Sequence, residues 1–155
     1  MSLPCHVSYY QINLPRRPER LGTAVMTKIL IADDNAVIRG GLSRLLRTHE
    51  DWEVCGEARD GQEAVDKSCE LGPDVVVLDF RMPGLNGIDA ARKISSLSPG
   101  IPILLWTMYL SPELCETAKR VGIRAVLAKG DVGYLFVGLE TILKGGTFYA
   151  APHQM

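Results

Sequence analysis

The chain has 155 residues, with 18 acidic side chains against 17 basic ones and a formal net charge of −1. That length suits one domain, since domains commonly run to about 100–150 residues, and a composition of 46% hydrophobic and 23% charged residues excludes a disordered chain. The near balance of charge excludes the basic excess that dedicated nucleic-acid binders and polybasic membrane anchors carry.

Residues 1–26 stand apart from the rest of the chain. Prolines and arginines punctuate them, and no helical or strand period emerges. We expect a flexible leader or an extension added for expression, with a basic arm that contacts a partner as the alternative. No apolar stretch resembles a signal peptide or approaches the roughly 18 residues of a membrane span. Four scattered cysteines without metal-binding spacing indicate a reducing compartment, so we predict a cytoplasmic protein without a membrane partner.

From residue 27 onward, short apolar runs alternate with helical patterns. Continuous runs of four apolar residues indicate strands that are covered on both faces, as in a parallel sheet. They occupy residues 29–32, 75–78, 103–106 and 125–128, with a weaker run at 52–58.

The segments between these runs read as helices. Apolar residues at i, i+4, i+7 and i+8 from Ile38 give the first helix one apolar face, and later helices follow the capping residues Asp60, Ser111 and Asp131. Five strands and five helices predict an α/β fold, with a doubly wound parallel five-stranded sheet in the flavodoxin-like order 2-1-3-4-5. This domain would span residues 27–150, followed by a tail or linker start at 151–155.

Polar residues follow four of the predicted strands. Asp33 and Asp34 come after the first strand, Asp79 after the third, Thr107 after the fourth and Lys129 after the fifth. Ligands of open α/β sheets bind outside the carboxyl ends of the strands, so we expect these side chains to converge. Three carboxylates beside one lysine need a shared proton or a hard cation, and oxygen ligands without histidine or cysteine favour Mg²⁺. Such a site is equipped to form an acyl phosphate on an aspartate.

Four stretches together carry a specific pattern: Lys-Ile-Leu-Ile-Ala-Asp-Asp-Asn at 28–35, Val-Leu-Asp-Phe-Arg-Met-Pro-Gly-Leu-Asn-Gly at 77–87, Trp-Thr at 106–107 and Ala-Lys at 128–129. This pattern resembles the receiver domain of two-component response regulators, over about residues 27–150. The resemblance implies a domain that accepts a phosphoryl group from a sensor histidine kinase or a phosphotransfer protein. It also implies catalysis of the domain's own phosphorylation and dephosphorylation, without conventional enzymatic turnover.

The resemblance further implies a role for each site residue. Asp79 would be the phosphoacceptor, and Asp34 and Asp79 would supply carboxylates to Mg²⁺, with the backbone carbonyl of Arg81 as a third ligand. Asp33 would act on the metal directly or through a bound water.

Two more roles follow from the resemblance. Lys129 would pair with one phosphoryl oxygen, and Thr107 would donate its hydroxyl to another and carry the conformational switch. The turn at 82–84 and Gly87 would shape the loop over the site.

The segment at 143–149 is similar to the branch whose receivers precede a LuxR-type helix-turn-helix domain. The chain stops where that linker would begin. We therefore expect transcription to be controlled by an output domain outside this sequence, and no nucleic acid to be bound by this chain itself. A homodimer formed on phosphorylation is one output that the resemblance implies.

Three positions depart from the family's pattern. One is Met108, which replaces the usual small residue after the threonine and should narrow access to Asp79. Val126 stands where an aromatic residue usually rotates inward, which leaves the switch to Thr107 and its loop. Gly130 replaces a common cis proline, and because a cis bond before a non-proline residue costs about 2.5–4 kcal/mol, we expect a trans peptide.

These departures keep open a degenerate receiver that binds partners without phosphorylation. A phosphatase with an aspartyl nucleophile would require an acidic residue at the position of Arg81, so the arginine argues against that function. An FMN-binding flavodoxin would require a phosphate-binding loop after the first strand, where the acids at 33–34 would instead repel the phosphate.

Overall fold

The computed structural model of the chain describes residues 7–10 and 25–150, with the side chains of 25–149. This part of the chain contains seven strands and five helices, which alternate from residue 27 onward. The strands are β1 (Val7–Tyr10), β2 (Thr27–Ala32), β3 (Trp52–Ala58), β4 (Val75–Asp79), β5 (Ile103–Thr107), β6 (Ala125–Ala128) and β7 (Thr147–Ala150). The helices are α1 (Ala36–Leu46), α2 (Gly61–Leu71), α3 (Gly87–Leu97), α4 (Pro112–Arg120) and α5 (Val132–Leu143).

The strands form one sheet in the order β1-β7-β6-β5-β4-β2-β3. The six strands from β7 to β3 are parallel, and β1 is antiparallel to β7. The predicted α/β, flavodoxin-like arrangement is confirmed, since β3-β2-β4-β5-β6 reproduces the order 2-1-3-4-5. The predicted number of five strands is wrong, because β7 extends the sheet beyond β6 and β1 extends it beyond β7.

The additional strand β7 lies in a segment that the sequence pattern assigned to no strand. Phe148 is only 4% exposed, and the hydroxyl of Tyr149 donates to the carbonyl of Ile123 at 2.7 Å. Four residues behind a Gly-Gly pair are too short to show a strand period, so only their packing against β6 shows that they form one. The strand β1 falls within the predicted leader. Residues 1–6 and 11–24 of that leader and the tail at 151–155 lie outside the described residues.

Helices cover both faces of the sheet, which explains the continuous apolar runs. Successive residues of a strand point to opposite faces. In β2, Ile29 and Ile31 join the core beneath α1 and α5, whereas Leu30 and Ala32 join the core beneath α2, α3 and α4. All four are at most 1% exposed. Because each strand is anchored on both faces, the carboxyl ends of the parallel strands are held in register at one edge.

Side chains cap four of the five helices. Asn35, Asp60, Asn86 and Ser111 each accept a hydrogen bond from a backbone N–H of the first helical turn. The prediction that Asp131 caps α5 is correct for its position and wrong for its side chain. Asp131 occupies the N-cap position, but its side chain makes no capping hydrogen bond. Among the described residues, no helix is both long enough and apolar enough to cross a membrane.

Candidate functional site

Five side chains singled out in the sequence lie at the carboxyl edge of the sheet. Asp33 and Asp34 follow β2, Asp79 ends β4, Thr107 ends β5 and Lys129 follows β6. One carboxylate oxygen from each aspartate lies within 4.8 Å of the others. The Lys129 ammonium lies 2.6 Å from Asp33 Oδ2 and 3.3 Å from Asp79 Oδ2. The topology thus brings the three acids and the lysine, which are up to 96 positions apart in the chain, into one site.

The electrostatics of this site leave one carboxylate with too little compensation. Burial is the main cause that raises the pKa of Asp79 from 3.8 to about 6, and the negative charge of Asp33 adds to it, whereas Lys129 lowers it. Asp33 and Asp79 are 1% and 6% exposed, so water screens them little. A proton or an additional cation is needed to neutralise the site.

The donor set fits a hard divalent cation. All three potential ligands are carboxylate oxygens, and neither histidine nor cysteine belongs to the group. Mg²⁺ prefers such oxygens, binds through one or two carboxylates and keeps several waters, which suits a site where Asp33 and Asp79 are buried and Asp34 is exposed. These residues can therefore hold Mg²⁺ at the end of β2 and β4.

Thr107 presents a hydroxyl at the end of β5. The side chain is fully buried, and its Oγ1 accepts a hydrogen bond of 2.9 Å from the N–H of Tyr109. A hydroxyl that accepts in this way keeps its own proton for donation. The carbonyl of Thr107 also accepts from the N–H of Lys129 at 2.9 Å, which ties the two loops together.

A cation–π contact joins the loops after β4 and β5. The guanidinium carbon of Arg81 lies 3.9 Å from the centre of the Tyr109 ring. Such contacts contribute about 0.5–1 kcal/mol at exposed sites, and the Tyr109 ring is half-exposed. The sequence suggested a role only for the backbone of Arg81; its side chain connects the loop after the predicted phosphoacceptor to the loop after Thr107.

Gly87 allows α3 to begin directly against the end of β4, which carries Asp79. Its N–H donates to the carbonyl of Phe80 at 2.7 Å. A Cβ atom at this position would lie 2.3 Å from the backbone oxygen of Asp79 and 3.0 Å from a methyl group of Leu105. Any side chain here must therefore displace the backbone that carries the carboxylate of Asp79.

We expect Gly87→Ala to lower the free energy of unfolding by about 2–3 kcal/mol, because the added methyl group overpacks a contact with backbone atoms that cannot rotate away. The matched control is Gly133→Ala on α5, where nothing lies within 4 Å of the added Cβ. That control should be neutral or stabilising by up to about 1 kcal/mol. Urea unfolding of both variants provides the comparison. Equal free energies of unfolding for the two variants would show that the backbone around Gly87 accommodates the added methyl group without cost.

The three departures from the family pattern have defined places in the structure. Met108 directly follows β5 and is exposed. Val126 is fully buried in β6, in the core beneath α2, α3 and α4. All peptide bonds in the described ranges are trans, so the expectation for Lys129–Gly130 is confirmed.

The sequence patterns that predict the site residues gave no indication that Arg39 contacts the site. Its guanidinium donates to the carbonyl of Asp33 and pairs with Glu57. The available signal was an arginine on the first turn of α1, which begins just after the paired acids, because helical side chains point back toward the N-terminus of their helix.

Comparison with known proteins identifies consistent relatives. The family model of the response regulator receiver domain matches residues 29–132. Oxygen regulatory protein NreC of Staphylococcus haemolyticus (strain JCSC1435) is 41% identical over 123 residues, which cover 78% of this chain and 57% of that protein. Transcriptional regulatory protein LnrK of Bacillus subtilis (strain 168) is 38% identical over 121 residues, which cover 77% and 51%, respectively. The chain therefore spans little more than half the length of these relatives.

A solved structure agrees with these sequence relatives. The crystal structure of a two-component response regulator of the LuxR family from Aurantimonas sp. SI85-9A1 superimposes with a TM-score of 0.77 at 31% sequence identity. The match covers 82% of this chain and 91% of that one.

Proposed function

The chain belongs to the response regulator receiver domain family, and on that premise we propose that it accepts a phosphoryl group on Asp79. The observation that carries this proposal is the pair of contacts from Lys129, at 2.6 Å to Asp33 and 3.3 Å to Asp79. These contacts put a cation beside the carboxylate that ends the central strand β4. The phosphoryl donor would be a sensor histidine kinase or a phosphotransfer protein.

In the proposed reaction, an oxygen of the Asp79 carboxylate attacks phosphorus as the bond to the donor histidine nitrogen breaks. The electron pair of that bond stays on the imidazole, and the product is an acyl phosphate on Asp79. The Lys129 ammonium, already within reach of this carboxylate, offsets negative charge that develops on a phosphoryl oxygen. Mg²⁺, held by Asp34, Asp79 and the backbone carbonyl of Arg81, would supply further charge stabilisation, with Asp33 acting directly or through a water.

The proposed output is a shift between two conformations. The Thr107 hydroxyl can donate to a phosphoryl oxygen. Because this hydroxyl also accepts a hydrogen bond from the N–H of Tyr109, a movement of Thr107 would pull the backbone of Tyr109 with it. Because Val126 offers no aromatic ring, this loop would carry the signal to the surface of α4. The response would be dimerisation or the release of an output domain that controls transcription. A receiver that binds partners without phosphorylation is the second candidate, and the buried Val126 favours it.

The test is phosphorylation of the purified chain by acetyl phosphate with Mg²⁺, followed by intact mass measurement. We expect the wild type to gain the mass of one phosphoryl group and Asp79→Ala to gain none. A matched control is Asp66→Ala, which removes an exposed carboxylate from α2 and should be phosphorylated like the wild type. No mass gain in the wild type would favour the second candidate, and an unchanged gain in Asp79→Ala would exclude Asp79 as the acceptor.

A further inference from the structure

Arg39 connects the loop of the paired acids to the neighbouring strand. It lies in the first turn of α1, and its Nη1 donates to the backbone carbonyl of Asp33 at 2.6 Å. Its Nε donates to Oε1 of Glu57, near the end of β3, at 3.2 Å. The Arg39 side chain is only 19% exposed. The planar guanidinium thus makes both contacts at once, which a lysine ammonium in the same place would not reproduce.

The contact from Arg39 completes the restraint of Asp33. The N–H of Asp33 donates to the carbonyl of Ala58 at 3.0 Å, which continues the pairing of β2 with β3. Its Oδ1 accepts from the N–H of Asn35 at 2.8 Å, and its Oδ2 receives the ammonium of Lys129. The remaining polar group of Asp33 is its carbonyl, and that is the group which Arg39 holds.

The held carbonyl belongs to the peptide that joins Asp33 to Asp34. Because a peptide unit is planar, a hydrogen bond that fixes its carbonyl also fixes the direction of its N–H and the start of the next residue. The exposed carboxylate of Asp34 depends on this backbone direction for its approach to the other two acids. The contact from Arg39 therefore restrains the backbone of both acids in the loop.

Arg39 is itself supported by a chain of charged contacts. Glu57 receives its guanidinium, and the backbone carbonyl of Glu57 accepts from the ammonium of Lys67 on α2. Lys67 in turn pairs with Glu63 at 3.0 Å. Glu57, which accepts from the guanidinium, is thus anchored by β3 and α2, which are not part of the acid loop.

We propose that Arg39 is a positioning residue that holds the Asp33–Asp34 peptide in the orientation needed for the acids to bind Mg²⁺. This role rests on the proposed function, because it concerns the same metal-dependent site. Residues that orient metal ligands without touching the metal commonly change its affinity by about 10–100-fold when they are removed. A role in stabilising α1 against β3 alone would instead change the unfolding midpoint and leave the affinity for Mg²⁺ unaltered.

The experiment is a calorimetric titration of the full chain with MgCl₂, without a phosphoryl donor. We expect Arg39→Met to weaken Mg²⁺ binding about tenfold relative to the wild type. The matched control is Arg44→Met, the same substitution at an exposed position of the same helix, which should bind Mg²⁺ like the wild type. With acetyl phosphate, Arg39→Met should need more Mg²⁺ for half-maximal rate but reach the wild-type rate when Mg²⁺ is saturating.

A wild-type Mg²⁺ affinity in Arg39→Met would overturn the positioning role. If Arg39→Met does not fold, Arg39→Lys takes its place, since it keeps the cation but can satisfy only one of the two acceptors; it should bind Mg²⁺ several-fold more weakly, and wild-type affinity would again overturn the role. The proposed function fails separately, if the wild type binds no Mg²⁺ or if Asp34→Ala binds it as tightly as the wild type.

Discussion

Replacing Lys129 by methionine should lower the free energy of unfolding by about 3–5 kcal/mol near neutral pH in metal-free buffer, because breaking a buried ion pair leaves an uncompensated charge. The Lys129 side chain is 8% exposed and serves both Asp33 and Asp79. Methionine keeps an unbranched side chain of nearly that length and removes the charged ammonium. Because Lys129 lowers the pKa of Asp79, its removal should make the carboxyl easier to protonate, so the loss of stability should diminish as the pH falls.

Urea unfolding at two pH values measures this effect, with Lys93→Met on the exposed face of α3 as the control. Combining Lys129→Met with Asp33→Asn should restore part of the stability, since the second change removes one of the two charges that the lysine balanced. If the two substitutions simply add, the ion pair would not be the cause. A stability equal to the wild type in Lys129→Met would show that water or ions already screen the acids.

Replacing Asp79 by asparagine should have the opposite effect on stability. The folded chain holds the pKa of Asp79 at about 6, above its ordinary 3.8. Between these values the folded chain keeps a proton that the unfolded chain has released, so stability falls as the pH rises from 3.8 to about 6 and stays low above that. A difference of this size corresponds to about 3 kcal/mol. Asparagine resembles the neutral carboxyl and avoids this loss.

The measurement is the difference in unfolding free energy between Asp79→Asn and the wild type in metal-free buffer at several pH values. We expect the variant's advantage to grow across the window from about pH 4 to about pH 6 and to level off above it. Asp66→Asn on the exposed face of α2 gives the background for an Asp-to-Asn change. An advantage that is constant with pH would mean that Asp79 titrates alike in the folded and unfolded chains.

The sequence was sufficient to predict the central strands and the composition of the site edge. Residues such as Ile29 to Ala32 are buried on alternating faces, and a continuous apolar run is what two covered faces require. The polar residues after each run, from Asp33 to Lys129, then had to share the edge where parallel strands end. The N-caps at Asp60 and Ser111 were also predicted from the sequence, because a cap depends only on neighbouring residues.

Other features depend on contacts between distant segments, which no local pattern encodes. The strand β7 exists because Phe148 and Tyr149 pack beside β6, and β1 pairs with it in turn. The cap position at Asp131 satisfies the sequence rule, yet the side chain makes no capping bond in the folded loop.

The sequence by itself thus determined which charged residues lie at the ends of β2, β4 and β6. Only the tertiary structure decided how those charges are balanced. The raised pKa of Asp79 comes first from burial, which depends on the whole packed domain. The contact of Arg39 with Asp33 requires α1 and β3 to be docked before the guanidinium can reach both of its acceptors. Periodicity records which face of an element is apolar, whereas charge compensation depends on distances that exist only once the elements have packed.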